Sequence, residues 1–303
     1  MLTLKDYAAQ LRNSGATIIP GSERTFWLEA ERFGLIRMPT FDTTPPQADE
    51  LRQVFKLGKV GVVSYLLEPT DRLPANAFLY LCRDREYRLE KLPSAFRRNV
   101  RRGLDELKIV EATGQQLLDH GLAAYADTRT RVGLSDGTAA CFQKRFSARL
   151  RCPNHIFLGA WKDGALAGFL SITRVERWAE IEGCFSMNAH LPARPNDALM
   201  YSALSKYLTN GECDLVSYGL SSVQLSDGES GLHTFKTKVG FEAKPVHRAF
   251  VPHPFLRPLI NHAGLRGISG LLQLYPHNRR LLKIQGMVTN MLAHRSAGGY
   301  AWT

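Results

Sequence analysis

The spacing of apolar positions changes period several times along the chain, and each change marks an element. Residues 2–11 carry apolar side chains at helical spacing, and Thr25–Glu29 reads as a strand. Pro45 and Pro46 break the chain before a second helical stretch over 47–57. Two β-rich runs follow, 60–67 and 77–81, separated by Pro69 and Pro74. Residues 92–107 give the clearest helical signal. Phe96, Val100, Leu104 and Leu107 form one apolar stripe, with Ser94 placed to cap the helix. Arg97, Arg98, Arg101 and Arg102 fall on the other side as two i,i+4 pairs. Like charges at that spacing repel, so an anionic partner would relieve them, while a plain solvated face remains open beside Asp105 and Glu106.

Two further helical stretches, 114–132 and 139–150, precede a change to period two. Residues 156–161, an Asp163-Gly164 turn and 165–173 predict a β-hairpin, and 179–187 predicts a third antiparallel strand. Strict alternation on that strand puts Glu180, Glu182, Cys184 and Ser186 on one face. Asn196 or Asp197 then caps a helix that buries Leu199, Ala203, Leu204 and Tyr207. A strand over 214–218, a polar loop over 219–228, a helix over 230–239 and a strand over 241–251 complete the pattern. After Pro252, Pro254 and Pro258 the chain reads as helical, and its Gly-rich end as disordered. The succession predicts an α/β (α+β) fold with a mixed, mostly antiparallel central sheet flanked by helices. Three segments are expected: an N-terminal α/β lobe over 1–92, a main domain over 93–252 and a basic helical tail over 253–303.

Composition and charge change this picture in several ways. The 44% hydrophobic and 22% charged content is that of a globular protein, which argues against extensive disorder. Five cysteines (Cys82, Cys141, Cys152, Cys184 and Cys213) are scattered and never spaced as CxxC, so no disulfide framework or zinc site is expected and a reducing compartment fits. The scattered histidines show no metal-ligand spacing, so no metal is expected. Neither a secretory signal nor a membrane-spanning stretch is expected, and the cytoplasm is the default. The formal charge is +11, and residues 253–303 hold six Lys or Arg without one Asp or Glu. Such a surface attracts phosphates of lipid head groups, nucleic acid or nucleotides. No G-x-S-x-G, P-loop, H-E-x-x-H or Rossmann glycine fingerprint is present.

Four pieces in order over residues 92–251 resemble the GNAT superfamily, in its Fem-type or "acetyltransferase-6" branch. Arg98-Asn-Val-Arg-Arg resembles that branch's basic helix, and Phe157-Leu-Gly-Ala-Trp-Lys-Asp-Gly its central hairpin. Arg194-Pro-Asn-Asp-Ala-Leu is similar to a "P-N-x-x-L" helix opening, and Gly231-Leu-His-Thr-Phe-Lys-Thr-Lys-Val-Gly-Phe to a "G-L-x-x-F-K-x-x-F-G" element. Residues 1–92 match loosely and could be a degenerate partner lobe, since Fem-type enzymes carry two. The resemblance implies an acyl- or aminoacyltransferase that uses acyl-CoA or aminoacyl-tRNA as donor, as bacterial Fem-type enzymes do on peptidoglycan precursors. One departure concerns the donor. GNAT acetyltransferases hold the coenzyme A pyrophosphate on a glycine-containing loop at a helix N-terminus, and here Leu191-Pro-Ala-Arg-Pro-Asn-Asp-Ala has no glycine and two prolines. This weakens acetyl-CoA as donor.

The resemblance places Lys236 at the active site, where a cation could stabilise an oxyanion or hold a phosphate. Glu180 and Glu182 are candidate general bases, with ion-paired or solvent-facing roles as the alternative. Tyr218 and Ser221, where a strand meets a loop, are candidate substrate groups, together with Asn196, Phe235, Arg97, Arg98 and Arg101. Phe235 reads first as core, and His233 is a weaker candidate. The expected reaction is N-acyl or N-aminoacyl transfer to an amine of an anionic, small-molecule or lipid-linked, cell-envelope or polysaccharide intermediate. The basic tail would contact the membrane's inner face peripherally, tRNA is an expected partner, and DNA is not. The alternative is a non-catalytic GNAT-like protein that binds nucleic acid through its basic helix.

Overall fold

The computed structural model of the protein describes residues 2–29, 34–147, 149–221, 230–276 and 278–296. In chain order the elements begin with α1 (Leu4–Asn13), β1 (Ile18–Pro20), β2 (Phe26–Glu29), β3 (Gly34–Met38), α2 (Ala48–Gly58), β4 (Val62–Leu67) and β5 (Ala77–Cys82). They continue through α3 (Ser94–Glu106), β6 (Lys108–Ala112), α4 (Gly114–Arg131), α5 (Ala139–Phe146), β7 (His155–Lys162), β8 (Ala165–Val175) and β9 (Trp178–Ser186). The last are α6 (Pro195–Leu204), β10 (Leu215–Leu220), α7 (Ser230–Val239), β11 (Glu242–Pro252), α8 (His262–Leu274) and α9 (Arg279–Ser296). No helix among the described residues is long and apolar enough to cross a membrane. The polar loop expected over 219–228 and the Gly-rich end lie mostly outside the described residues.

Contacts group the chain into two units that interleave in sequence, where a contiguous division at 92 and 252 was expected. Unit 1 comprises residues 1–15, 80–219 and 231–243; unit 2 comprises 16–79, 220–230 and 244–303. The cause is long-range backbone pairing. Glu176 ties α1 to unit 1, its N–H donating to the Leu2 carbonyl at 3.0 Å and its carboxylate accepting from the Leu4 N–H at 3.1 Å. In unit 2, β11 pairs antiparallel with β4, from His247↔Leu67 to Pro252↔Val62.

The same β-β-β-α-β succession occurs in both. In unit 2, β1, β2 and β3 form an antiparallel meander, α2 crosses over, and β4 pairs parallel with β3 from Gly34↔Val62 to Ile36↔Ser64. In unit 1, β7, β8 and β9 form the meander, α6 crosses over, and β10 pairs parallel with β9. The strand β6 extends the unit 1 sheet antiparallel to β7. Unit 2 is held by Trp27, Leu35, Val54, Phe55, Val63 and Val251, and its buried Arg37 lies 3.4 Å from Glu50, which also accepts from the Trp27 indole at 2.8 Å.

Unit 1 is built around an aromatic cluster. The fully buried Phe146 ring lies with its centroid 5.0–5.9 Å from those of Phe142, Tyr125, Phe157, Phe169 and Phe185. Two local expectations are corrected on α3. Pro93, not Ser94, occupies the capping position, and no side chain caps the helix. The buried stripe runs Phe96, Val100, Gly103 and Leu107, while Leu104 is exposed. Gly103 faces α6 so closely that a Cβ there would lie 2.7 Å from the Ala198 Cβ, so the narrowest residue takes the contact. On α6, Arg194 in the left-handed conformation (φ 58°) stands at the capping position expected for Asn196 or Asp197. Pro195 follows as the first helical residue, where its missing N–H costs nothing.

Replacing Phe146 with Ala should remove about 3–5 kcal/mol of stability. Urea unfolding followed by circular dichroism measures it, and a loss below ~1 kcal/mol would show that the cluster does not hold unit 1.

Candidate active site

The site in unit 1 begins where a sheet pairing ends. The parallel pairing of β10 with β9 spans three residue pairs, Leu215↔Trp178 to Ser217↔Glu180, and both strands then continue, to Leu220 and Ser186. The segments past the pairing carry Tyr218 on β10 and Cys184 on β9. Burial pushes the hydroxyl of Tyr218 well above its ordinary pKa, with the Cys184 thiol close enough to add to the shift. Burial likewise raises the Cys184 thiol, and Asp197 at the start of α6 adds to that. The thiol donates to the Asn196 side chain at 3.2 Å. Asp197 itself is raised from its ordinary value by burial, with Arg194 and Lys238 pulling the other way.

Lys236 of α7 closes this group. Only 4% of the residue is exposed, and its ammonium donates to the Tyr218 carbonyl at 2.9 Å. It also stands 4.1 Å from the Tyr80 ring centroid and 4.5 Å from that of Tyr218, within cation–π range. The Tyr80 hydroxyl is 2.9 Å from His233 Nδ1, and Phe241 packs on Tyr218 at 5.6 Å. A cation held this way cannot swing to follow solvent, so its charge is fixed in a low-dielectric place. Phe235, its neighbour, is half-buried.

The two glutamates expected beside Lys236 lie on the other face of the sheet. The register between β8 and β9 shifts, with Ile172 opposite Ile181 and Ser171 opposite Gly183, so Glu182 is an extra residue in a β-bulge. Beyond the bulge the alternation inverts. Glu180, opposite Thr173, shares the face of Phe185, while Cys184 turns toward α6. Glu182 accepts from Arg149 at 2.8 Å and from the Thr173 hydroxyl at 2.5 Å, and its carboxylate is 3.4 Å from His155 Nε2. Burial alone would raise its pKa, but His155, Arg149 and Thr173 together hold it well below the usual range. Such a carboxylate is a weak proton acceptor, so Glu182 reads as the hub of a polar network.

The remaining candidates are dispersed. Arg98 and Arg101 are exposed on α3, while Arg97 is half-buried and donates to the Glu90 carbonyl at 3.3 Å. Arg102 pairs with Glu106 at 2.8 Å. The open depression along α3, about 530 Å³, is lined by Arg98, Arg101, Arg102, Asp105 and Glu106, so its charge is nearly balanced. Ser221 belongs to unit 2, where its hydroxyl accepts from the Phe78 N–H at 2.8 Å. Sequence reading passed over Tyr80, Cys184 and Asp197 as site residues. The "P-N" helix opening pointed at Asn196, one position from Asp197, and no local signal marks Tyr80. Among the described residues no cluster of His, Cys, Asp or Glu could hold a metal ion.

The network around Glu182 makes stability depend on pH. A depressed carboxyl contributes stability that is present above its unfolded value of 4.5 and lost as pH falls below it. Glu182→Gln should cost roughly 1–3 kcal/mol at neutral pH and flatten the acid limb of the urea-midpoint profile. An acid limb as steep as that of the unsubstituted protein would count against the network.

No family model matches the chain, and no curated protein matches it in sequence. Solved structures do. FemX is 10% identical with a TM-score of 0.59, the match covering 86% of this chain and 94% of that one. The C-terminal domain of a protein described as a lysylphosphatidylglycerol synthetase, from Agrobacterium fabrum, is 13% identical with a TM-score of 0.55, covering 80% of this chain and 86% of that one. L-PGS from Bacillus licheniformis is 13% identical with a TM-score of 0.51, covering 82% and 91%. At such identities the likeness is one of fold, and the chain has the mixed, mostly antiparallel GNAT-like fold that these structures share.

Proposed function

We propose that the protein is an N-acyltransferase of aminoacyl type, moving an aminoacyl group from aminoacyl-tRNA to an amine of an anionic cell-envelope intermediate. The observation that carries this is the burial of Lys236 between Tyr80 and Tyr218 at the end of the β9–β10 pairing. Attack of the amine nitrogen on the donor carbonyl builds negative charge on the carbonyl oxygen, and a fixed ammonium stabilises that oxygen more than the ground state. Asp197, with its raised carboxyl, is the group on the same face suited to accept the amine's proton. The proton then passes to the departing ribose hydroxyl as the ester bond breaks.

The start of α6 supports an ester donor over acyl-CoA. Pro195 offers no N–H there, and a pyrophosphate would meet the Asp197 carboxylate. Exposed Arg98 and Arg101 supply phosphate contacts for a tRNA. A purely nucleic-acid-binding role would leave the burial of Lys236 and the raised carboxyl of Asp197 without use, so the catalytic reading is preferred. The setting that fits is cytoplasmic and bacterial.

Bulk aminoacyl-tRNA should raise the melting temperature of the purified protein while coenzyme A and acyl-CoAs leave it unchanged. A shift with an acyl-CoA alone would move the donor to a thioester, and no shift with any of them would remove the transferase reading. In a transfer assay with the donor so identified, Lys236→Met should lower the rate by ~100-fold or more without changing the circular dichroism spectrum. A loss under ~10-fold would take the oxyanion role from Lys236.

A further inference from the structure

Six of the eleven exposed large hydrophobic residues among the described ones lie between Phe255 and Ile284, in unit 2. Two of them, Leu271 and Leu274, lie on the outward side of α8, and Tyr275 directly follows it. Ala263, Arg266, Gly267, Gly270, Leu271 and Leu274 are exposed and recur at i, i+3, i+4, i+7, i+8 and i+11, a single helical stripe. That stripe is apolar or small except for one cation. Its inward side is the one that buries Leu272.

The stripe ends at the turn into α9, and there the apolar surface is densest. Leu274 is 72% exposed, Tyr275 59%, Leu271 46% and Ile284 40%. Exposed Arg280 and Lys283 stand in the first turns of α9, a few residues after Tyr275 in the chain. No Asp or Glu occurs anywhere from 253 to 303. Singly exposed hydrophobics need no explanation, but an apolar stripe ending in an aromatic, with cations and no acid around it, does.

We infer that the α8 stripe and the α8–α9 turn form a docking surface for an anionic lipid bilayer. The helix would lie in the interfacial plane, with Leu271, Leu274, Tyr275 and Ile284 entering the acyl boundary. Arg266, Arg280 and Lys283 stay at the level of the phosphates. The charge pattern selects this occupant. A nucleic acid would satisfy the cations but leave four large apolar side chains facing phosphate and water. The absence of acids removes the repulsion that an anionic leaflet would otherwise meet. This surface is independent of the transfer chemistry, and binding alone reads it.

The test uses the full chain and sedimentation with vesicles. The protein should partition onto vesicles rich in phosphatidylglycerol and remain in solution with phosphatidylcholine alone. L274S/Y275S should reduce partitioning by ~10-fold or more, because the inserted apolar area is lost. R280Q/K283Q should reduce it by about fivefold or more in low salt. All these positions are solvent-exposed, so the melting temperature should stay unchanged and serve as the folding control. Failure of the unsubstituted protein to bind phosphatidylglycerol vesicles would overturn the inference. So would equal binding by L274S/Y275S. A dimer in sedimentation velocity that L274S/Y275S converts to monomer would assign the patch to a second copy of the chain instead.

Discussion

The short parallel pairing between β9 and β10 is the constraint on which the rest of the candidate site depends. A parallel pair needs a crossover element, here α6, and that crossover brings a helix start to the end of the paired segment. Because pairing lasts for only three residue pairs, both strands go on past it without pairing to each other. Tyr218 and Cys184 stand on those continuations, and Lys236 reaches the Tyr218 carbonyl from α7. Two aromatic faces and a carbonyl then hold a cation that would be costly to bury among aliphatic side chains.

A single extra residue divides the chemistry of unit 1 between the two faces of its sheet. Without the bulge at Glu182, strict alternation would put both glutamates on the face of Cys184. With it, Glu182 joins Arg149, Thr173 and His155 on the side of the aromatic cluster. A carboxylate so thoroughly satisfied supports the architecture and gives up basicity for it. Asp197, buried without such strong compensation, keeps a higher proton affinity. The two carboxyls therefore differ in proton affinity because their surroundings differ.

The two units share a β-β-β-α-β succession and end it differently. In unit 2 the buried cation past the parallel pairing is Arg37, and Glu50 neutralises it while also holding the Trp27 indole. That arrangement is closed, with the fork of the guanidinium spent on local partners. In unit 1 the buried Lys236 of α7 instead lies against two aromatic rings and a backbone carbonyl.

By itself the sequence determined most of the elements and their order, because periodicity and turn chemistry are local, but it passed over the short strands β1, β3 and β6. The Asp163-Gly164 turn, the Phe96–Val100 stripe and the helix carrying Leu199, Ala203 and Leu204 all form where the pattern puts them. The fold class was legible for the same reason, and Lys236 was marked by the "F-K-x-x-F-G" element. Only the tertiary structure decided which side chains meet. The bulge at Glu182 leaves no local mark, since one inserted residue in a strand still alternates on either side of it. Leu104 yielded its place to Gly103 because α6 approaches too closely for a larger residue. Tyr80 meets Lys236 from a segment more than a hundred residues away in the chain, and Asp197 lies close enough to act on the Cys184 thiol. The interleaving of the two units was hidden too, because strand pairing between distant segments depends on partners that no single window of sequence contains.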